Sequence, residues 1–250
     1  MRLKSSNPVF GSTFEASAVF AGYGNTMTIA GTANKAGILM LLVLLTAAYT
    51  WGRFFDNPET ANVSGFMMIG LVGGFISAMV TIFKKEWSAV TAPIYALFEG
   101  LALGGISATM EYRFPGIAIQ AVSLTFGTCF CLLLAYRMGI IKASEKLTMG
   151  IVAATGGIAL VYFANMLLGI FGVHIPGIFG SGPIGILFSL VVVVVAAMNL
   201  ILDFAFIEDA AYRGAPKYME WYGAFGLMVT LIWLYLEMIR LLSKLRDDRN

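Results

Sequence analysis

The chain has 250 residues with a net charge of only +2, and 59% of them are hydrophobic against 12% charged. Soluble domains carry about twice that charged fraction, so this composition excludes an ordinary water-soluble globule and points to lipid as the solvent. No Lys/Arg cluster interleaved with aromatics stands on a polar face, which excludes a nucleic-acid partner.

Residues 1–34 are rich in Ser, Thr, Gly and Asn and lack a helical period. They read as a disordered or loosely ordered tail, leaving 35–250 as one membrane domain. The tail has no basic, apolar and cleavage-site succession, so it is not a signal peptide. A bilayer core takes about 17–25 apolar residues per helix. Ala36–Gly52 is a first span, closed by Arg53. Thr60–Phe83 is a second, closed by Lys84 and Lys85. Trp87–Met110 is a third and holds one charge, Glu99. Phe114–Tyr136 is a fourth, closed by Arg137. It contains Cys129 and Cys131, which read as reduced, buried thiols rather than a metal site.

From Leu147 to Leu202 there is no Asp, Glu, Lys or Arg. That is too long for one helix, and the Gly/Pro-rich piece "FGVHIPGIFGSGP" divides it into spans five and six. Span six runs to about Ile207. "KYMEWYGAFG", Lys217–Gly226, has the mix of an interfacial stretch. Span seven then runs from about Leu227 to Leu242, with Arg240 and Lys244 free to snorkel outward. The fold class is an all-α polytopic membrane bundle of seven helices.

Loop charges set the orientation. With the N-terminus inside, the inner side holds ten Lys/Arg between Arg2 and Lys217, and the outer loops only Arg53 and Arg113. The basic tail after Arg240 conflicts with this pattern, so span seven either crosses against the rule or dips and returns.

The informative residues are the acids. A carboxylate at the bilayer centre costs about 2.5–3.5 kcal/mol on insertion scales. Asp203 stands in "LILDFAFIED" with Asn199 one turn earlier on its face. Glu237 stands in "WLYLEMIRLL" with Thr230 two turns earlier. Counting from the connection between spans six and seven sets both acids roughly 13–15 Å from the same membrane face. A pair is then possible, and two close carboxylates retain one proton to higher pH. The shared proton would latch two helices, and its loss would part them and invite a cation. Two acids with Asn199 make a loose, transient calcium site rather than a storage site. The plainer alternatives are an interfacial Asp203 and a surface salt bridge from Glu237 to Arg240 at i+3. Glu99, midway along span three, is a further candidate for the interior path, and its plainer alternative is a protonated acid bonded to a neighbouring helix.

Taken in order, "NLILDFAFIED", "WLYLEMIRLL", "GTANKAGILMLLVLLTAAYTW", "APIYALFEGLALGGIS" and "EWYGAFGLMVTLIWLYLE" make the chain resemble the Bax-inhibitor superfamily, most closely its bacterial branch, over Gly31–Leu245. The resemblance implies a bundle whose last helix is central. It implies a pH-dependent calcium leak in which Asp203 and Glu237 are the proton-sharing sensor and gate. It also implies an arginine near the pair, a place Arg240 or Lys85 would fill. The sequence departs from the pattern in carrying Glu rather than Asp in span seven and in a long connection between spans six and seven.

The expected function is therefore a pH-sensitive cation leak, with no cofactor and with calcium and protons as the moving species. Its place would be a bacterial inner membrane, with the N-terminus in the cytoplasm. Two alternatives stay open: a non-transporting regulator that binds another membrane protein such as a protease, and a proton-coupled cation exchanger. Enzymatic readings fail, because a G-x-G-D stretch is absent and Ser181 and His174 share one connection.

Overall fold

The computed structural model describes residues 26–56, 63–172 and 177–248. Seven helices follow one another: α1 Ile29–Asp56, α2 Val63–Phe83, α3 Ser88–Arg113, α4 Ile117–Arg137, α5 Glu145–Ile170, α6 Pro183–Tyr212 and α7 Met219–Asp247. A single 3₁₀ turn, Lys85–Trp87, leads into α3. All seven are long and apolar enough to cross a membrane. Leu41 and Leu45 of α1, Phe75 and Ile76 of α2, and Leu160 and Phe163 of α5 point outward. In water such faces would aggregate; in lipid they are the required surface.

Two ends differ from the sequence reading. The first helix begins at Ile29, so residues 26–34 of the expected tail are folded, while residues 1–25 lie outside the described residues. The cause is a long-range anchor. Thr26 bridges to Pro216, and the Met27 amide donates to the Ala215 carbonyl at 2.7 Å. The Glu220 carboxylate, fully buried, then accepts from the Thr28 amide and hydroxyl, both at 2.9 Å, and from Lys217 at 2.8 Å and Lys35. The second difference is α7. It is continuous from Met219, so most of the stretch read as interfacial is its first two turns. At about 1.5 Å per residue α7 is roughly 43 Å long, enough to cross fully.

Helix ends follow local chemistry. The Ser144 hydroxyl caps α5 by accepting from the Leu147 amide at 3.3 Å. The Glu111 carboxylate, at the end of α3, caps the next helix by accepting from the amides of Gly116 at 2.5 Å and Ala118 at 3.0 Å. Gly172 and Gly214, with φ of 72° and 68°, close α5 and α6 in the left-handed region that side chains disfavour.

The chain forms two compact units. One takes α1, α2, α3, the end of α6 from Phe206 and the start of α7 to Val229. Here α3 packs closely on both α1 and α2. A Cβ on Gly100 would stand 2.4 Å from the Val43 carbonyl oxygen, and one on Gly104 2.4 Å from that of Ala47. On the α2 side, a Cβ on Gly70 would stand 2.6 Å from the Phe98 carbonyl oxygen. This is the small-residue contact that lets helices approach in lipid. Buried hydroxyls of this unit find partners within it, as when Thr81 donates to the Ser77 carbonyl and pairs with Thr91, each at 2.7 Å.

The other unit takes α4 from Ile119, α5, α6 to Ala205 and α7 from Thr230. In α4, Cys131 is exposed and Cys129 half-buried, so the thiols are not both core residues: positions two apart on a helix cannot share a face. Of the seven helices α7 is the most buried, with 56% of its apolar window covered against 11% for α5.

Gly100→Val should lower the thermal unfolding midpoint in detergent by several degrees, from overpacking of about 1–3 kcal/mol. Gly127→Ala, with nothing within 4 Å of the new Cβ, should leave it unchanged or raise it.

Candidate functional site

The site lies in the unit built from α4 to α7. On α7 the buried positions Thr230, Glu237 and Lys244 recur every seven residues, with Leu234 between the first two. Seven residues are nearly two turns, so all three share one stripe. On α6 the residues Gly185, Ser189, Val192, Ala196, Asn199 and Asp203 alternate by four and three and are all buried. Each helix therefore turns one narrow, partly polar stripe inward and leaves the rest apolar.

Glu237 is only 2% exposed, and its hydrogen-bond partners among the described residues are Tyr162 and Arg240. The Tyr162 hydroxyl lies 3.0 and 3.1 Å from the two carboxylate oxygens. An Arg240 N–H donates to Oε1 at 2.7 Å and to the Tyr162 oxygen at 2.6 Å. The guanidinium carbon sits 5.0 Å from the Tyr162 ring centroid. Phe179 and Phe188 flank that ring at 5.8 and 6.2 Å. A buried carboxylate, a phenol and a guanidinium thus close a three-membered circuit that ties α5 to α7. The i+3 pair that sequence spacing allowed is present, with the Arg240 side chain 41% exposed and the carboxylate end buried.

Asp203 is fully buried, with Cys129 of α4 within electrostatic reach. Asn199, 2% exposed, donates to the Thr155 hydroxyl at 2.9 Å and to the Val195 carbonyl at 2.8 Å. It therefore ties α6 to α5. Thr230 is buried at the start of this part of α7. Glu99 belongs to the other unit, where it is half-buried on α3, hydrogen-bonded to Tyr95 and close to Gly74 of α2.

The two acids do not form a hydrogen-bonded pair. Lys244 donates to the Gly185 carbonyl at 3.0 Å, which fixes the antiparallel register of α6 and α7 in this unit. Counting from there, Glu237 is level with Val192 and Thr230 with Asn199. Asp203 lies about eleven residues beyond Val192, or roughly 16 Å along the axis. A lysine's reach of about one turn does not close that gap. The sequence estimate set the start of α7 too late, near Leu227 instead of Met219. That separation keeps the two acids from sharing one cation, and Glu237 is already matched by Arg240.

Sequence reasoning missed Tyr162 and Lys244. A tyrosine in "ALVYFAN" carries no signal of a partner 75 residues away. Lys244 does not snorkel: it is 5% exposed and also donates to the Ile178 carbonyl at 3.1 Å. Ser181 adds a bond from the same connection to Asp247 at 2.7 Å. The spacing Thr230, Glu237, Lys244 was the available clue.

In a double-mutant cycle, Tyr162→Phe and Glu237→Gln should couple by about 0.5–3 kcal/mol in thermal unfolding. Additive effects would mean that the phenol and carboxylate do not act together.

The family model described as "Bax inhibitor 1 like" matches residues 7–247. No curated protein and no solved structure matches the chain. A match over nearly the whole length, together with seven membrane-length helices and acids buried in the last two, identifies the chain as a member of the Bax inhibitor 1 like family of membrane proteins.

Proposed function

We propose that the protein is a pH-sensitive cation leak, with calcium as the permeant ion, in a bacterial inner membrane with its N-terminus cytoplasmic. The observation that carries this reading is the complete burial of Asp203 and near-complete burial of Glu237 on helices that cross the bilayer. Burial of an acid in lipid is costly enough that such residues ordinarily serve an ion or proton path.

The two acids take different roles in this reading. Glu237, matched by Arg240 and Tyr162, holds α5 against α7. Asp203 carries the pH response. Neutral, it leaves the α6 stripe uncharged and without attraction for a cation. Ionised, it supplies the one negative charge on a stripe that otherwise offers only amide, hydroxyl and carbonyl groups. The gate is then the Asp203 carboxyl rather than one proton shared between the two acids. Flux rises with pH as Asp203 loses its proton, and a permeating cation compensates the new charge.

Calcium entry into proteoliposomes between about pH 5 and 8 tests this. Wild-type flux should rise with pH, Asp203→Asn should flatten the rise, and Glu86→Gln, an exposed acid in the 3₁₀ turn, should behave as wild type. An equal flattening in Glu86→Gln, or none in Asp203→Asn, contradicts the assignment. Folded protein with no flux above empty liposomes at any pH would favour a regulator that binds another membrane protein.

Glu99, in the other unit, is a further candidate for ion conduction in this reading. Glu99→Gln should lower the flux, and unchanged flux with unchanged stability would rule Glu99 out.

A further inference from the structure

Lys244 stands apart from the groups used so far. Its ammonium is buried beside the connection between α5 and α6 and is held by two main-chain carbonyls, Ile178 at 3.1 Å and Gly185 at 3.0 Å. That connection folds tightly. A Cβ on Gly185 would stand 2.0 Å from the Gly180 carbonyl oxygen and 3.0 Å from that of Gly177. Glycine is therefore required where the turn crosses the start of α6, and carbonyl oxygens gather there.

Converging carbonyls at an unwound segment are the usual means of replacing a metal cation's water. Here a cation already sits against two of them, tethered through its own side chain. Arg240, one turn earlier on α7, adds a second positive charge, and Glu237 is the acid that faces it. Asp247, bonded to Ser181, and Asp248 are the other acids at this end of α7. Going along the α7 stripe from Thr230, the sign therefore changes from neutral to negative to positive.

We propose that Lys244 is a tethered cation that occupies a carbonyl cradle at the α5–α6 end of the α7 stripe and sets the electrostatic barrier to divalent cations. The inference rests on the conduit reading above. A fixed positive charge repels a divalent ion twice as strongly as a monovalent one at the same distance. Removing it should therefore change calcium flux more than potassium flux, which distinguishes a charge barrier from a mere structural tie.

The test compares Lys244→Gln, which keeps an N–H donor for the carbonyls and loses the charge, with Lys244→Met, which loses both. Calcium and potassium entry into proteoliposomes are measured at one pH, with thermal unfolding alongside. Loss of the charge should raise calcium entry on the order of tenfold and potassium entry about threefold, its square root. The rise should appear in both variants, and Lys244→Gln should unfold close to wild type. A rise confined to Lys244→Met, equal for both ions and accompanied by a lower unfolding midpoint, overturns the barrier and leaves a structural tie. Wild-type conduction that neither variant alters overturns the barrier while the conduit stands. Absence of conduction from wild type and both variants overturns the two together. A wild type that is closed while Lys244→Gln conducts calcium supports both.

Discussion

A carboxylate carried into lipid must find its partners inside the protein, and this constraint shapes the α4–α7 unit. Glu237 meets it with a phenol from α5 and a guanidinium from its own helix. The bonds are charge-assisted and so about twice as strong as neutral ones. The apolar surroundings raise the cost of losing either partner, because the carboxylate would then be left buried and unmatched. Tyr162 is central to the circuit, since it donates toward the acid and accepts from Arg240. The packing of Phe179 and Phe188 around its ring keeps the phenol in place. The less buried α5 is joined in this way to the most buried helix, α7.

The same constraint orders the polar stripes. Thr230, Glu237 and Lys244 fall on one line of α7 because a single inward stripe is the cheapest place for polar groups on an otherwise lipid-ready helix. The Gly185–Asp203 line does the same for α6. Antiparallel register then decides which polar groups are neighbours. Lys244 meets Gly185, Asn199 is level with Thr230, and the two acids stand apart. Separation gives each carboxyl its own environment: one beside a guanidinium and a phenol, the other near the Asn199 level of α6. The two carboxyls therefore meet different neighbours, as suits acids with different tasks.

Much of the fold was legible because lipid imposes simple rules. Spans one, two and four stood out as apolar runs closed by charge, and the Gly/Pro-rich piece after Ile170 marked the break between α5 and α6. The errors fell where long-range contacts override composition. "TIAGTANKAG" reads as polar tail, yet Glu220, more than 180 residues away, organises its first turn. "KYMEWYGAFG" reads as interfacial, yet Glu220 is satisfied by Thr28, Lys35 and Lys217, and so the helix starts at Met219. Moving that start by two turns changes the level of Glu237 and separates a pair that counting had brought together. The acids themselves were visible as charges among apolar residues. Their partners were not, because a tyrosine in lipid-facing sequence is ordinary and a lysine at a helix end is expected to reach for water.

The central claim of the proposed function is that Asp203 carries the pH response without sharing a proton with Glu237. Difference infrared spectroscopy of the carboxyl C=O stretch, in the reconstituted protein across about pH 4–9, tests it most directly. The account predicts that Asp203→Asn removes the carboxyl transition that tracks the rise in flux, and that Glu237→Gln leaves the Asp203 transition at its wild-type pH. An Asp203 transition that shifts by a unit or more when Glu237 is neutralised would show a strongly coupled pair and contradict the account.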